Sequence, residues 1–280
     1  MTLLIFVLSL GAIAVAAGLL GSLVGLGGGI IIVPVLTLLF HIDIRLAIGA
    51  SLVSVIATSS GAAVTYVRER LTNIRTGMFL EIGTTLGAIS GAYLTTKISS
   101  NTLFILFAIV LAYSAFMLQR KGLSSDKPLT VSHDKLANQL NLHSSYFDEN
   151  QHRNITYKVT GTKIGLCLMY IAGLISALLG VGSGSLKVPA MDIAMRMPIK
   201  ASAATSDFMI GVTATASAGA YFARGQINPL IAAPIAIGVL IGAIIGSRLL
   251  NRIAPNSVQV LLVIVLIIVA LEMLQRGVQV

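Results

Sequence analysis

The sequence has 280 residues, of which 56% are apolar and only 10% are charged. Soluble domains carry about 25% charged residues, so this composition is that of a membrane protein. The formal net charge of +9 does not indicate nucleic-acid binding, because the Lys and Arg residues lie almost entirely between the apolar runs. We therefore expect a lipid bilayer around the chain and no nucleic-acid partner.

The chain begins with an apolar run, 3–40, that a group of glycines interrupts. Leu3–Val24 is helical in character, but the glycines of Leu26–Gly29 cannot hold a helix cheaply. Ile30–Phe40 is then too short to span a bilayer at about 1.5 Å of rise per residue. We predict a broken, re-entrant helical hairpin over 3–40, followed by membrane spans at 47–67, 76–96 and 103–118.

A polar segment, 120–163, separates this region from the rest. Its charges are mixed and it has no clear hydrophobic period, which predicts a solvated linker with room for a short surface helix. Three of the four histidines, His133, His143 and His152, lie here. Their spacings of ten and nine residues fit no metal motif, so we expect no metal site.

The second half repeats the first with a shift of 155 residues. Gly25, Gly27 and Gly29 align with Gly180, Gly182 and Gly184, and the register continues without a gap for some 80 residues. We therefore predict two repeats, at 1–119 and 164–280. The second contains a hairpin over 164–195 and spans at 201–222, 229–250 and 258–274.

The orientation of the repeats follows from their basic residues. If each glycine stretch is the tip of a hairpin that returns to its own side, the repeats are inverted. One side then holds fourteen Lys and Arg residues, including the seven of the linker, and the other side holds four. A single crossing would give twelve and six, so the positive-inside rule favours hairpins, a cytoplasmic linker and external termini. The fold class is an all-α polytopic membrane protein with two inverted repeats, each a broken hairpin plus three transmembrane helices.

The glycine stretches are the candidate binding site. Broken helices at matching places in two repeats indicate the site of a transporter. Each short helix would present free backbone N–H groups and a partial positive charge at the break, which favours an anion. The candidate ligand contacts there are Gly27, Gly28, Gly29 and Ile30 in repeat 1, and Gly182, Ser183, Gly184 and Ser185 in repeat 2. For Gly83, Gly87 and Gly91 we prefer a helix-packing role.

Two charged residues break the repeat symmetry. Lys187 replaces Ile32 and Asp207 replaces Leu52, both within apolar segments where a charge is costly. They could simply pair with each other, or Lys187 could complete the anion site while Asp207 tunes that site or carries a coupling proton. Glu81 reads as an interfacial residue. Candidate hydroxyl donors to the anion are Ser51, Thr58, Ser206 and Thr213.

The doubled G-x-G-x-G…P stretch with its apolar runs resembles the sulfite exporter TauE/SafE (TSUP) family. That resemblance implies a multi-pass transporter of the cytoplasmic (inner) membrane for a sulfur-containing anion such as sulfite, sulfoacetate or another organosulfonate, coupled to an ion gradient. Related thiosulfate transporters use pore cysteines, but Cys167 is the only cysteine and has no counterpart in repeat 1.

Several functions remain open or are disfavoured at this level. An anion channel or a transporter of a non-sulfur anion would use the same architecture. No histidine lies in a predicted span, which disfavours an intramembrane enzyme. There is no P-loop for ATP, so any energy must come from a gradient, of H⁺ or Na⁺, or from a partner protein. No cofactor is expected, and the sequence does not fix the oligomeric state.

Overall fold

The computed structural model describes residues 3–24, 28–120, 134–148, 153–249 and 255–279. Nearly all of them are helical. Among these residues, five helices are long and apolar enough to cross a membrane: Ile44–Arg68, Ser100–Gln119, Thr162–Leu179, Pro229–Gly246 and Leu262–Gln279. The predicted all-α polytopic membrane fold is confirmed.

The first repeat contains five helices in the predicted order. They are α1 (Leu3–Val24), α2 (Gly29–Pro34), α3 (Ile44–Arg68), α4 (Ile74–Leu94) and α5 (Ser100–Arg120). A π-helical turn, Val35–Leu39, extends α2. The α4 helix begins where the Asn73 side chain accepts a hydrogen bond from the Thr76 N–H, at 3.1 Å. Each predicted span of this repeat overlaps one of the three long helices that follow the break.

The segment between the repeats is more ordered than the sequence indicates. It contains a short helix, α6 (Lys135–Gln139), and an antiparallel hairpin of β1 (Ser144–Asp148) and β2 (Arg153–Tyr157). The expected short surface helix is present, but the hairpin is not foreseen by the sequence. Its strands are only five residues long and mostly polar, so they give no clear alternating pattern. The predicted linker residues His133 and His152 lie outside the described residues.

The hairpin is fastened to the helical domain. The buried Tyr146 and Tyr157 pack into a methionine-rich cluster with Met191 and Met195. The Asn73 amide donates to the Leu142 carbonyl at 2.7 Å and to the Tyr157 hydroxyl at 3.2 Å. Burial raises the pKa of Tyr157, which keeps its hydroxyl neutral. The described part of this segment, 134–148 and 153–157, is therefore docked against the helical domain, and we call it the docked subdomain.

Asp134 ties the same subdomain to the second repeat. One carboxylate oxygen caps α6, and the other accepts from the Thr162 backbone N–H at 2.8 Å and its hydroxyl at 2.9 Å. Slight burial of Asp134 raises its pKa, but these hydrogen bonds together hold the pKa below its usual value. The carboxylate thus stays ionised and joins α6 to the start of the next membrane helix.

The second repeat follows the order of the first. Its helices are α7 (Thr162–Leu179), α8 (Gly184–Pro189), α9 (Ile199–Ala223), α10 (Pro229–Leu249) and α11 (Pro255–Gln279). A π-helical turn, Ala190–Ala194, extends α8, as one extends α2. Proline lies at the end of both short helices, at Pro34 and Pro189. The α11 helix is two turns longer than the predicted span 258–274.

The first helix of each repeat packs against the fourth helix of the other repeat. In the main contacts α1 packs against α10 and α7 packs against α4, while α3 packs against α9 and α5 against α11. Each contact therefore maps onto itself or onto another contact when the repeats are interchanged. This two-fold relation places the glycine breaks of both repeats in the middle of the molecule, around the α3–α9 pair.

Glycines set how closely these paired helices approach. A Cβ added to Gly87 of α4 would overlap the Tyr170 carbonyl of α7, and one added to Gly242 of α10 would overlap the Val15 carbonyl of α1. These two contacts are related by the same shift of 155 residues. Gly83 and Gly91 likewise face the Leu166 and Leu174 carbonyls. The predicted packing role of the Gly83 series is confirmed.

Candidate functional site

Both glycine stretches interrupt a helix, but the two breaks have different backbones. In repeat 2, α7 ends at Gly180, which has φ of +68°, and Gly182 and Ser183 also have positive φ, at +77° and +54°. In repeat 1 the counterpart of Ser183 is Gly28, which has φ of −63°. A left-handed conformation is uncommon for a serine and costs about 1–2 kcal/mol. The break that carries the strained residue is the one that also carries the charges described below.

The two breaks touch each other through Ser51 of α3. The Ser51 hydroxyl lies 2.7 Å from the Gly180 carbonyl and 3.2 Å from the Gly29 carbonyl. A Cβ added to Gly29 would lie 2.6 Å from the same Gly180 oxygen. Gly29 is therefore needed for contact between the two breaks.

Lys187 lies in the short helix of repeat 2 and is completely buried. Its ammonium donates to the Thr213 hydroxyl of α9 at 2.7 Å, and Thr213 in turn lies 2.7 Å from Oε1 of Glu81 on α4. Three different helices thus contribute to one polar chain. A buried ammonium is tolerated only with such partners, because burial of an unpaired charge costs several kcal/mol.

Glu81 is a functional candidate that sequence reasoning did not include. Its side chain is buried inside the protein: only 9% of its surface is exposed, and Oε1 also accepts from Thr85 at 3.2 Å. Its second oxygen, Oε2, is buried without a hydrogen-bond partner in the described chain. The sequence does mark Glu81 as unusual, since its counterpart in repeat 2 is Ala236. Glu81 breaks the repeat symmetry in the same way as Lys187.

The structure gives Lys187 two acidic neighbours instead of the single partner considered from sequence. Glu81 and Asp207 both lie close enough to act electrostatically on its positive charge. Asp207 is 8% exposed, and its backbone carbonyl accepts a hydrogen bond from Ser59 at 2.5 Å. The cluster therefore contains one buried cation and two acidic residues, with Glu81 the closer partner through Thr213.

Hydroxyl groups at the two breaks fall into two classes. The Ser51 hydroxyl contacts a carbonyl at each break, and the Thr58 hydroxyl donates to the Ser54 carbonyl at 2.8 Å. These hydroxyls of repeat 1 therefore already have hydrogen-bond partners within the protein. Within the described part of the chain, four buried hydroxyls near the second break lack a hydrogen-bond partner: those of Ser176, Ser183, Ser185 and Ser206. A buried polar group without a partner costs free energy, so these hydroxyls are candidate donors to a ligand.

The predicted site residues are therefore distributed unequally. Gly28, Gly29, Ile30, Ser51 and Thr58 surround the first break, where the counterparts of the three charged residues are Ile32, Leu52 and Ala236. Around the second break lie Gly182, Ser183, Gly184, Ser185, Lys187, Ser206, Asp207 and Thr213. Gly27 lies outside the described residues. The described charged groups and unpartnered hydroxyls thus gather on the side of repeat 2.

These features identify a duplicated membrane protein with a polar cluster at paired helix breaks, and comparison with known proteins assigns it. The family model for the sulfite exporter TauE/SafE matches residues 10–273. The chain belongs to the TauE/SafE family. It is 28% identical over 269 residues to the "Probable membrane transporter protein YunE" of Bacillus subtilis, covering 94% of this chain and 95% of that protein.

More distant relatives carry similar names. Identity is 24% to the "Probable membrane transporter protein YdhB" of Bacillus subtilis, over 79% of this chain and 81% of that protein. It is also 24% to the "Probable membrane transporter protein MJ0441" of Methanocaldococcus jannaschii, over 92% and 91%. No solved structure matches the chain. Family and relatives together indicate a multi-pass membrane transporter of the TauE/SafE type.

Proposed function

We propose that this TauE/SafE protein is a secondary transporter that moves a small sulfur-containing anion across the cytoplasmic membrane by alternating access. Sulfite, sulfoacetate and other organosulfonates are the substrate class, in keeping with the family description "Sulfite exporter". The proposed site lies between the two helix breaks. The observation that carries the proposal is the fully buried Lys187 together with the buried hydroxyls of Ser183, Ser185 and Ser206, which have no hydrogen-bond partner in the described chain.

The chemistry of these groups suits an oxyanion. An ammonium has three N–H donors, so Lys187 can bind an anion while it also donates to Thr213. Hydroxyls of Ser183, Ser185 and Ser206 would supply further donors to sulfonate or sulfite oxygens. Ser206 lies seven residues before Thr213, which places both on one face of α9. Charge-assisted hydrogen bonds of this kind are about twice as strong as neutral ones.

Alternating access would follow from the repeats. We infer that they are inverted, since the charge distribution favours re-entrant hairpins. The contacts of α1 with α10 and of α7 with α4 fit a two-fold relation between the repeats. Rocking of one repeat against the other would expose the site to each side in turn. On this model the docked subdomain is cytoplasmic and both termini are external.

Cysteine labelling tests this topology. With Cys167 replaced by Ser, we expect single cysteines at Ser145 and at Gln279, both exposed, to react with a membrane-impermeant maleimide from opposite sides of the membrane. Ser145 should react only in inside-out vesicles and Gln279 only in whole cells or spheroplasts. Reaction of both from the same side would contradict the inverted arrangement.

Uptake by proteoliposomes tests the proposed function. We expect saturable uptake of labelled sulfoacetate that a proton or sodium gradient drives, with competition measured for sulfite, thiosulfate, taurine and sulfate. Uptake that rises linearly with concentration and does not depend on the proton or the sodium gradient would indicate an anion channel instead. Competition only by anions that lack sulfur would place the substrate outside the proposed class.

A matched serine pair shows whether the second break binds the anion. Ser206→Ala removes a hydroxyl that has no partner in the described chain, so stability should hold while anion affinity falls by about tenfold, as for one charge-assisted hydrogen bond. Ser51→Ala, at the equivalent position of repeat 1, removes hydrogen bonds to both breaks and should lower stability by about 1 kcal/mol. Thermal unfolding and sulfoacetate titration measure the two effects. Unchanged affinity in Ser206→Ala would remove this serine from the site.

A further inference from the structure

The connection from Lys187 through Thr213 to Glu81 suggests how transport is coupled to a gradient. We propose that Glu81 takes up one proton when an anion binds at Lys187, so that the anion and the proton travel together. This inference rests on the proposed function. It assigns the coupling role to Glu81 and not to Asp207, the residue that sequence reasoning favoured.

The charges of the cluster are the first argument. In the substrate-free protein Lys187 is stabilised by Glu81 and Asp207. An incoming anion adds a further negative charge to a site already served by one ammonium. Excess negative charge at membrane depth is costly, and uptake of a proton by one carboxylate is the least expensive correction. Binding of the anion and of the proton should therefore be mutually favourable.

The hydrogen bonds of the carboxylate are the second argument. Oε1 of Glu81 is bound by the hydroxyls of Thr213 and Thr85, while Oε2 is buried with no partner in the described residues. An ionised carboxylate accepts hydrogen bonds at both oxygens, so in that state Oε2 lacks the donor that it needs. A proton can be placed on Oε2 without breaking any of these hydrogen bonds. Glu81 is thus the acid of the cluster whose geometry can accept a proton.

Thr213 links the protonation state of Glu81 to Lys187 through its hydroxyl group. A hydroxyl has a single hydrogen, and that of Thr213 can point to Oε1 of Glu81 at 2.7 Å or to the Met209 carbonyl at 2.9 Å. When Glu81 becomes neutral, its attraction for this hydrogen weakens and the alternative bond to Met209 gains. Throughout, the Thr213 oxygen accepts from Lys187. Thr213 is therefore a positioning residue between the anion site and the proton site.

Among the described residues, no other charged group is placed as well as Lys187 to link Glu81 to the anion site. The short helix α8 contributes Lys187, and α9 contributes Asp207, which acts on Lys187 and on Tyr66 of α3. The ionisable residues of α7, which packs on α4, are all exposed: Lys163, Cys167 and Tyr170. Among the charged groups described, Lys187 is the one that acts on Glu81.

Calorimetry of the purified full-length protein tests the proposal. Sulfoacetate is titrated in two buffers of different ionisation enthalpy, because its sulfonate and carboxylate stay ionised near neutral pH whereas sulfite itself binds protons. We expect uptake of about one proton per anion in the wild type, and an affinity that falls about tenfold per pH unit over the range in which Glu81 is ionised without the anion and protonated with it. In Glu81→Gln, binding should persist with no proton uptake and a flat pH dependence. Glu69→Gln, at an exposed acid, is the matched control and should behave as wild type.

Each outcome decides the question. Anion binding without proton uptake in the wild type overturns the coupling proposal and leaves the proposed function intact, even if Glu81→Gln does not fold. Proton uptake that survives in Glu81→Gln but disappears in Asp207→Asn transfers the role to Asp207 and also overturns it. If the wild type binds none of the sulfur-containing anions, the proposed function fails and coupling at Glu81 fails with it.

Discussion

Replacing Lys187 with Met should weaken sulfoacetate binding by about 5- to 150-fold, which corresponds to the 1–3 kcal/mol of a charge-assisted hydrogen bond. Met keeps the length and apolar stem of Lys but removes the charge that the anion needs. Lys187→Arg should retain part of the affinity, because the charge survives while the shape changes. Titration calorimetry on the purified variants measures both effects, and transport should fall in the same order.

A second effect of Lys187→Met must be separated from the first. Loss of the ammonium leaves Glu81 without its buried cation, so the single variant should also lose stability, by roughly 3–5 kcal/mol for a broken buried pair. Lys187→Met combined with Glu81→Gln removes both charges and should recover much of that stability. Binding should stay weak in the double variant. If the double variant binds sulfoacetate as the wild type does, Lys187 has only a structural role.

Lys97→Met is the matched control. Lys97 is an exposed lysine in the short connection after α4, so removing its charge should alter neither binding nor stability. An equal loss of affinity in Lys97→Met would mean that Lys187 acts through the overall charge of the protein and not through contact. Such a general effect would also be screened by added salt, whereas a buried contact is not.

The architecture could be predicted because it depends on patterns that recur along the chain. The shift of 155 residues revealed the repeats, and apolar length revealed the long helices. Glycine spacing correctly indicated a packing face at Gly83, Gly87 and Gly91. Each of these signals is local, or is written twice in the sequence, and needs no knowledge of which helices meet.

The candidate site was harder to predict because it exists only where separate helices meet. Lys187 and Asp207 stood out from sequence as departures from repeat symmetry, but their nearest partners depend on how α4, α8 and α9 pack. Glu81 is 106 positions before Lys187 in the chain, and no spacing rule links them. The same criterion of broken symmetry, applied to Glu81 and Ala236, would have included it. The contact of Gly29 with Gly180 could not be predicted for a related reason, since the two glycines belong to different repeats.

Gly87→Ala should destabilise the protein strongly, although it adds only one methyl group. The new Cβ would overlap the Tyr170 carbonyl of α7, and a backbone atom in a helix cannot rotate away as a flexible side chain can. Overpacking costs about 1–3 kcal/mol when a core can adjust, so we expect a loss at or above the upper end of that range. Gly242→Ala should cost a similar amount, because its Cβ would overlap the equivalent Val15 carbonyl.

Gly219→Ala is the control for both substitutions. Gly219 also lies inside a membrane helix, α9, but a Cβ there meets no atom within 4 Å, and the better helix propensity of Ala should leave stability equal or higher by up to about 1 kcal/mol. Thermal unfolding in detergent, followed by circular dichroism or by loss of the monodisperse peak in gel filtration, measures all the variants. The Gly87 and Gly242 contacts belong to separate helix pairs, α4–α7 and α1–α10, so their losses should add in the double variant. Tolerance of Ala at one position and not at the other would mean that the two helix pairs do not pack equivalently, and the two-fold relation between the repeats would then not hold at these interfaces.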